Sequence, residues 1–413
     1  MNSLISYAEA LDIIREQVPQ IGLKTDKLNL EDALGCVLAQ DVKSPLANQP
    51  FDNSAMDGVA LKKVDIENVT ENNPVSLDLI GEIAAGQSGR ELKVGTGQCA
   101  EIMTGAPIPD GADTVIPVER LKKNGNNIYI TLPAEKGANI RRAGEDVSNG
   151  EKIISIGTRI EAKHILPLST VGVSTLNVYK KPLVALISTG SEIVSDLTAT
   201  LQPGQIYNSN QPYLKAALPC FGADTIELGT VMDRREDYVS RIEDALDAGV
   251  DLILSTGAVS AGEYDFVPQV LADMGADIFF HKAAIRPGKP IIFAKLKKNG
   301  PFFLGLPGNP VSAAAGLRFF GNPILRQFQG LPPKSPRYAK LINSYSKRKA
   351  DFTFFLKAHC SISDEGEYKV EILPGQESFK VKPFVNMTAW AYGESGVEHL
   401  ENGTIIPTYP LYD

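Results

Sequence analysis

Apolar positions along the chain change period several times, and each change marks a different kind of structure. From Ser6 the spacing is helical: Ser6 and Glu9 form a capping-box pattern, and Leu11, Ile14 and Val18 recur on one face until Pro19 stops the run. A second helical stretch is expected over about 30–40, weakened inside by Gly35. Short apolar segments at 77–83, 99–103, 114–118 and 128–132, punctuated by glycine and proline, predict a small β-rich domain. Between Lys180 and Arg326 strands and helices alternate, the signature of a parallel sheet with crossover helices. Strands are expected at 183–187, 225–231, 252–254, 277–280, 291–296 and 302–306. Helices are expected after Asn208-Ser209-Asn210, at 236–248 with Val239, Ile242 and Leu246 on one face, at 266–274 and at 312–320. After Gly330 the chain reads as short strands at 338–344, 352–359, 368–373 and 381–388, with no convincing helix.

This pattern predicts an α/β multidomain protein. A central parallel α/β sheet domain occupies 178–328, and an inserted β-rich domain occupies 48–139. A mixed linking domain is built from 1–47 plus 140–177, and a C-terminal β-barrel-like domain covers 329–413.

Candidate chemistry gathers where the central strands end. Leu252, Ile253 and Leu254 read as a strand buried on both faces. Ser255, Thr256 and Gly257 follow at once, with Ser260, Gly262, Glu263 and Asp265 just beyond. Upstream, 183–187 runs into Ser188-Thr189-Gly190-Ser191-Glu192, which repeats the order hydroxyl, hydroxyl, glycine, hydroxyl, carboxylate. One Ser-Thr-Gly is most simply a capped turn. Two copies with trailing acids, at the edge where open α/β sheets bind ligands, favour a phosphate and magnesium site. Strand 225–231 ends at Asp233, and Lys282, Arg286 and Lys289 bring positive charge. The loops Arg286-Pro287-Gly288-Lys289-Pro290 and Pro307-Gly308-Asn309-Pro310 are stiffened for gripping an anion, although the second is also a respectable tight turn. It leads into an Ala-rich helix whose amino end offers N–H groups.

Two polar stretches lie outside the central region. Asp52, Asn53, Ser54 and Asp57 could ligate a cation or hold a polar substrate, or could form an Asx-turn array that satisfies its own backbone. Thr104-Gly105 is a further hydroxyl loop, and Arg141, Arg142, Glu145 and Asp146 join guanidinium forks to carboxylates. Such forks suit phosphate or molybdate-like oxyanions, although a surface ion-pair cluster is the commoner explanation of such a run.

Composition narrows the class. At 413 residues the chain exceeds one core, and the net charge of −8 argues against a general nucleic-acid binder. The four cysteines form no C-x-x-C pair, and no apolar run approaches membrane-spanning length. With acidic Glu9 and Asp12 where a signal peptide would be basic then apolar, a cytoplasmic protein is expected.

Several motifs stand together in a recognisable order. They are Phe51-Asp-Asn-Ser-Ala-Met-Asp57-Gly58, Ile102-Met-Thr-Gly-Ala-Pro107, Arg141-Arg-Ala-Gly-Glu-Asp146, Ser188-Thr-Gly190, Ser255-Thr-Gly257 with Val259-Ser260 and Gly262-Glu263, Pro287-Gly-Lys-Pro290, and Leu306-Pro-Gly-Asn-Pro-Val-Ser312. In this order they resemble the molybdopterin molybdenumtransferase family, the MoeA proteins and the E domain of gephyrin, over nearly the whole chain and least after residue 331.

The resemblance implies an elongated homodimer of four-domain subunits whose central domain is similar to the small molybdopterin adenylyltransferases. The implied activity inserts molybdenum from molybdate into adenylated molybdopterin, with Mg²⁺-dependent loss of AMP. Glu192, Asp233 and Asp265 match acids that hold Mg²⁺ and the pyrophosphate. Asp57, with Thr104, matches an opposing loop that faces them across the dimer. Arg141 and Asp146 match a further charged pair, and Lys282 and Arg286 match basic positions for the oxyanion. Transient contact with molybdopterin adenylyltransferase and with cofactor-accepting proteins is implied, and no membrane or nucleic acid. Ala258 and Ala261 stand where the family usually has glycine and valine, and Arg286 replaces a lysine, which leaves molybdate and tungstate both open.

The competing readings are a tungstate-preferring paralogue, and adenylyl transfer or competence-damage-type nucleotide hydrolysis on the same central domain. A scaffold role like gephyrin's receptor clustering is a third. The flanking segments with Asp57-Gly58 and Arg141-Arg142 speak against the second. Absence of gephyrin's linker and trimer domain speaks against the third.

Overall fold

A computed structural model describes residues 4–18, 23–89, 91–232, 234–258, 266–297, 300–347 and 349–412. The chain divides into two compact units, one of 1–26, 35–39 and 178–413, the other of 27–34 and 40–177. Among the described residues no helix is long and apolar enough to cross a membrane.

The larger unit is built on a six-stranded sheet in the spatial order Asp224–Val231, Leu183–Thr189, Leu252–Thr256, Phe302–Leu306, Ile292–Lys295, Asp277–His281. The first four strands are parallel. Ile292–Lys295 runs antiparallel to both its neighbours, Phe302–Leu306 and Asp277–His281, which departs from an all-parallel expectation. The chain between Lys295 and Phe302 is too short for a crossover helix, so Ile292–Lys295 and Phe302–Leu306 can only close as a hairpin. Side chains alternate across this sheet. Val184, Leu186, Leu252 and Leu254 join one core, and Ala185, Ile187 and Ile253 join the other. Helices cover both faces: Arg235–Asp247 and Val267–Asp273 bury Tyr238, Ile242, Val270 and Leu271 on the second, while Tyr7–Gln17 buries Tyr7, Ala10 and Ile14 on the first. The capping box of that first helix forms as read, Ser6 N–H donating to the Glu9 carboxylate at 2.7 Å and Glu9 N–H to Ser6 Oγ at 3.2 Å.

The C-terminal part of this unit is a closed sheet. Strands Thr353–Ile362, Tyr368–Ile372, Arg337–Leu341, Ile405–Pro410 and Ala389–Gly393 follow one another in space, and the last pairs back with the first. Closure removes the free edges that an open sheet would expose. The short strand Ile285–Arg286 adds to this barrel through Thr353 and Phe354, so the loop that follows it is held against the barrel wall. A stacked pair, Phe319 on Phe355 with centroids 3.7 Å apart, joins the long helical segment to the same barrel.

Three further expectations are corrected. The helix at 30–40 is only a turn over Glu31–Ala33, because Leu34 turns extended and Gly35 takes φ +78°, after which Val37–Leu38 is a strand. The strand at 381–388 is instead a short helical turn, Lys382–Val385, since Pro383 has no N–H for a ladder, and the barrel strand begins at Ala389. The helix at 312–320 begins earlier, at Pro310 behind Asn309, and continues through one wide turn at Leu317–Gly321 into Asn322–Phe328.

The smaller unit contains a six-stranded sheet ordered Thr114–Pro117, Gly58–Leu61, Gln98–Ile102, Val75–Ile83, Asn127–Ile130, Leu121–Asn124. Gly58–Leu61, unforeseen as a strand, pairs on both sides and is buried throughout. Val59 and Leu61 serve one core and Ala60 the other.

Candidate functional site

Register places the chemistry of the larger unit. Ser188 pairs with Thr256, and Thr256 with Leu306, so three loops leave the sheet at one level. The strand order also reverses there: from Leu183–Thr189 the chain goes to one neighbour and then returns to build the other. This is the crevice position at which open α/β sheets bind ligands. A cleft of about 660 Å³ opens at this edge, bordered by Ser188, Thr189, Gly190, Glu192, Thr256, Gly257, Gly308, Asn309 and Pro310 among others.

Hydroxyls and amides of the cleft floor are tied into one network. Thr189 Oγ1 donates to the Thr256 carbonyl at 3.2 Å, and Thr256 Oγ1 donates to Ser188 Oγ at 3.3 Å. Asn208, 4% exposed, donates from Nδ2 to Ser188 Oγ at 3.2 Å, Gln211 Oε1 at 3.1 Å and Thr230 Oγ1 at 3.0 Å. Asn210 Nδ2 ties the first turn of its helix to the Gly308 carbonyl at 2.8 Å. Ser255, one residue earlier than the cleft, faces the other core, where Tyr238 OH donates to it at 2.7 Å. One glycine here is a steric necessity. Gly257 has φ +91°, and a Cβ there would come within 2.6 Å of both the Thr189 carbonyl oxygen and Thr189 Oγ1. Ala258 takes φ +50°, the left-handed region that a glycine would enter freely.

Glu192 is exposed and supplies a carboxylate to this cleft. Asp233, Ser260, Gly262, Glu263 and Asp265 lie outside the described residues. Among the described residues no three His, Cys, Asp or Glu side chains converge as a metal cluster.

A second cavity of about 750 Å³ lies beyond the 307–310 loop, with Arg286, Pro287, Gly288 and Lys289 on one side and barrel residues including Ser344, Ser346, Glu371, Gln376, Glu377 and Ser378 on the other. Pro307 and Asn309 border it too, so Asn309 lies on both cavities. Arg286 sits 5.6 Å from the centroid of the Phe352 ring. Lys282 is not among the residues lining either cavity, and its carbonyl accepts from Ile5 N–H at 3.3 Å. The helix end at Pro310 offers less than expected, because Val311 N–H donates to the Ser378 carbonyl at 3.3 Å.

The smaller unit gathers its own group. Asp57 Oδ1 accepts from Thr104 N–H at 2.6 Å and Thr104 Oγ1 at 2.7 Å, and the backbone donor above all holds its carboxyl below the usual range. Asp52 accepts from Ala143 N–H at 2.8 Å and from Arg142 at 2.5 Å, and is lowered chiefly by the former. Asn48 donates to Asp146 at 2.8 Å, and Arg141 pairs through its backbone with Asn53. Arg142 is therefore a structural partner of Asp52, while Arg141 remains exposed.

Asn208, Asn210, Gln211, Phe379 and the barrel residues Ser346, Gln376 and Ser378 were not among the candidates. The polar run Asn208-Ser209-Asn210 was the available signal for the first three. Nothing in the barrel segment separates a cavity wall from an ordinary turn.

A strand-end cleft of hydroxyls and glycines thus lies beside a cavity bordered by Arg286, Lys289, Glu371 and Glu377, on a doubly wound α/β domain of the kind that holds ligands at this edge. Residues 5–172 match the family described as MoeA N-terminal region (domain I and II), and residues 185–327 match the one described as probable molybdopterin binding domain. A molybdopterin molybdenumtransferase of Synechococcus elongatus is 36% identical over 408 residues, 99% of this chain and 100% of that one. One of Haemophilus influenzae is 31% identical over 412 residues, 99% of each chain. The crystal structure of a molybdopterin biosynthesis MoeA protein from Pyrococcus horikoshii superposes with a TM-score of 0.84 at 30% identity, covering 100% of both chains. The chain belongs to the molybdopterin molybdenumtransferase (MoeA) family of transferases of molybdenum cofactor biosynthesis.

Proposed function

We propose that the protein transfers molybdenum from molybdate to adenylated molybdopterin with Mg²⁺-dependent release of AMP. The observation that carries this is the pair of cavities divided by the 307–310 loop. One presents hydroxyls and bare backbone suited to a phosphoanhydride, and the other presents Arg286 and Lys289, suited to a tetrahedral oxyanion. Ser188, Thr189, Gly190, Thr256, Gly257 and Gly308 would cradle the phosphates. Magnesium, when bound, supplies charge neutralisation on them. Glu192 is a fitting ligand by charge and position, and Asp233 and Asp265 are proposed to complete the set. Lys282 is proposed to add positive potential from outside the cavity walls.

Also proposed are a cytoplasmic homodimer, in which Asp57 and Thr104 of one subunit serve the site of its partner with Arg141 and Asp146 nearby, and transient exchange with an adenylyltransferase and with cofactor acceptors. The domain limits 1–47 with 140–177, 48–139, 178–328 and 329–413 belong to this reading. The closed sheet within 337–410 and the separate sheet within 58–130 support it.

The test is to incubate the purified protein with adenylated molybdopterin, Mg²⁺ and molybdate. AMP release that depends on molybdate is expected. Release that ignores molybdate would instead favour a nucleotide hydrolase on the same central domain.

A further inference from the structure

We propose that Phe379 is a stacking platform for a planar heteroaromatic ring of the ligand in the strand-end cleft, an inference that rests on the nucleotide reading of that cleft. Phe379 borders the cleft together with Asn210, Thr256, Gly257 and Gly308, yet its side chain is 66% exposed. A large apolar ring left in water at the mouth of a polar cleft gives up the stabilisation it would gain by burial. Its backbone is not free to tuck it away.

The residues around it are held on every side. Gln376 Oε1 accepts from Lys357 N–H at 2.9 Å, and Gln376 Nε2 donates to the Lys357 carbonyl at 2.8 Å. The Lys357 ammonium, on a side chain with no exposed surface, donates to the carbonyls of Glu377 at 3.1 Å and Lys380 at 2.9 Å. The Ser378 carbonyl accepts Val311 N–H. Past Lys380 the chain is anchored again by Phe384, edge-on to Tyr213 at 6.1 Å and Trp390 at 5.9 Å. Val381 and Val385 are exposed as well, but neither borders the cleft. Phe379 alone of the three combines exposure with a place on the site.

Its chemistry complements the rest of the lining. The hydroxyls, amides and glycines address phosphate oxygens, and none presents an aromatic face. Tyr207, the other aromatic residue on the lining, has its hydroxyl committed to the Ala199 carbonyl at 2.7 Å. Lys380 lies 5.9 Å from the Phe379 centroid and covers one face, which leaves the other for a ligand ring. Adenine and a pterin share the required planar, polarised π-surface.

The experiment titrates the intact protein, in the presence of Mg²⁺, with AMP, with a soluble pterin and with inorganic pyrophosphate. Phe379→Ala is expected to weaken one ring-bearing ligand about tenfold, in line with base–aromatic stacking, and to leave pyrophosphate unchanged. Which of AMP and pterin loses affinity identifies the stacked ring. Phe379→Trp should keep the affinity and show quenching on ring binding, since the single native tryptophan, Trp390, is buried. Unchanged binding of both ring ligands in Phe379→Ala, or an equal loss for pyrophosphate, overturns the inference and leaves the cleft reading intact. Failure of the wild-type protein to bind AMP, pterin and pyrophosphate alike overturns the cleft reading itself, and the inference with it.

Discussion

Thr104 holds one oxygen of Asp57 twice, through its N–H at 2.6 Å and its hydroxyl at 2.7 Å. Both bonds favour the carboxylate, so Asp57 keeps its charge to lower pH than a free aspartate. Thr104→Val removes the hydroxyl donor and leaves the backbone one. The Asp57 titration, followed by NMR, should move up towards the ordinary value. The acid limb of any activity that needs this charge should move up with it. Asp57→Asn should abolish AMP release with the melting temperature nearly unchanged, because the side chain is exposed.

Gly257→Ala asks for a Cβ where the Thr189 carbonyl and hydroxyl already stand, at a φ that alanine adopts at a cost. A loss of about 2 kcal/mol or more is expected in denaturant unfolding. The displaced loop should abolish binding of pyrophosphate measured by calorimetry.

Asn208→Leu removes one amide that serves three acceptors beneath the cleft. The change also takes away Asn208 Oδ1, which accepts the buried Gln211 N–H at 3.1 Å, and a buried donor left without a partner costs on the order of 1–3 kcal/mol, so the variant should unfold at clearly lower denaturant. Asn208→Asp returns the shape without the donors and should not rescue it.

Lys357 gives a pH test. Burial pushes its ammonium down to about 8. Above that pH the folded protein has released a proton that the unfolded chain keeps up to about 10.4. The unfolded state then binds more protons, and stability rises with pH from about 8 upward. Unfolding between pH 8 and 9.5 should show this rise in the wild type and lose it in Lys357→Met. That variant should also be weaker at pH 7, with the carbonyls of Glu377 and Lys380 left without their donor.

How much could be read from residues alone differs by element. The strand Leu252–Thr256 and the positions of Ser188 and Thr256 were legible because apolar runs, hydroxyls and glycines are adjacent in sequence, and sheet register does the rest. Asn208 was not, because its value lies in reaching Thr230, which is distant along the chain. The strand Gly58–Leu61 was hidden by its brevity behind a polar loop. The barrel strand Ala389–Gly393 was read several residues early, at 381–388, although Pro383 stands against a strand there. Whether Gln376, Ser378 and Phe379 face a cavity depends on how the barrel closes, which local pattern does not encode. The hairpin at 292–306 could have been foreseen from loop length.

The strip from Pro307 to Pro310 is a party wall. Because Asn309 touches both chambers, a bulkier side chain there would crowd each tenant at once, and neither could be tuned apart from the other. Selectivity in the chamber proposed for the oxyanion would therefore be tuned at residues that open onto that chamber only, such as Arg286, Lys289, Ser346 and Gln376.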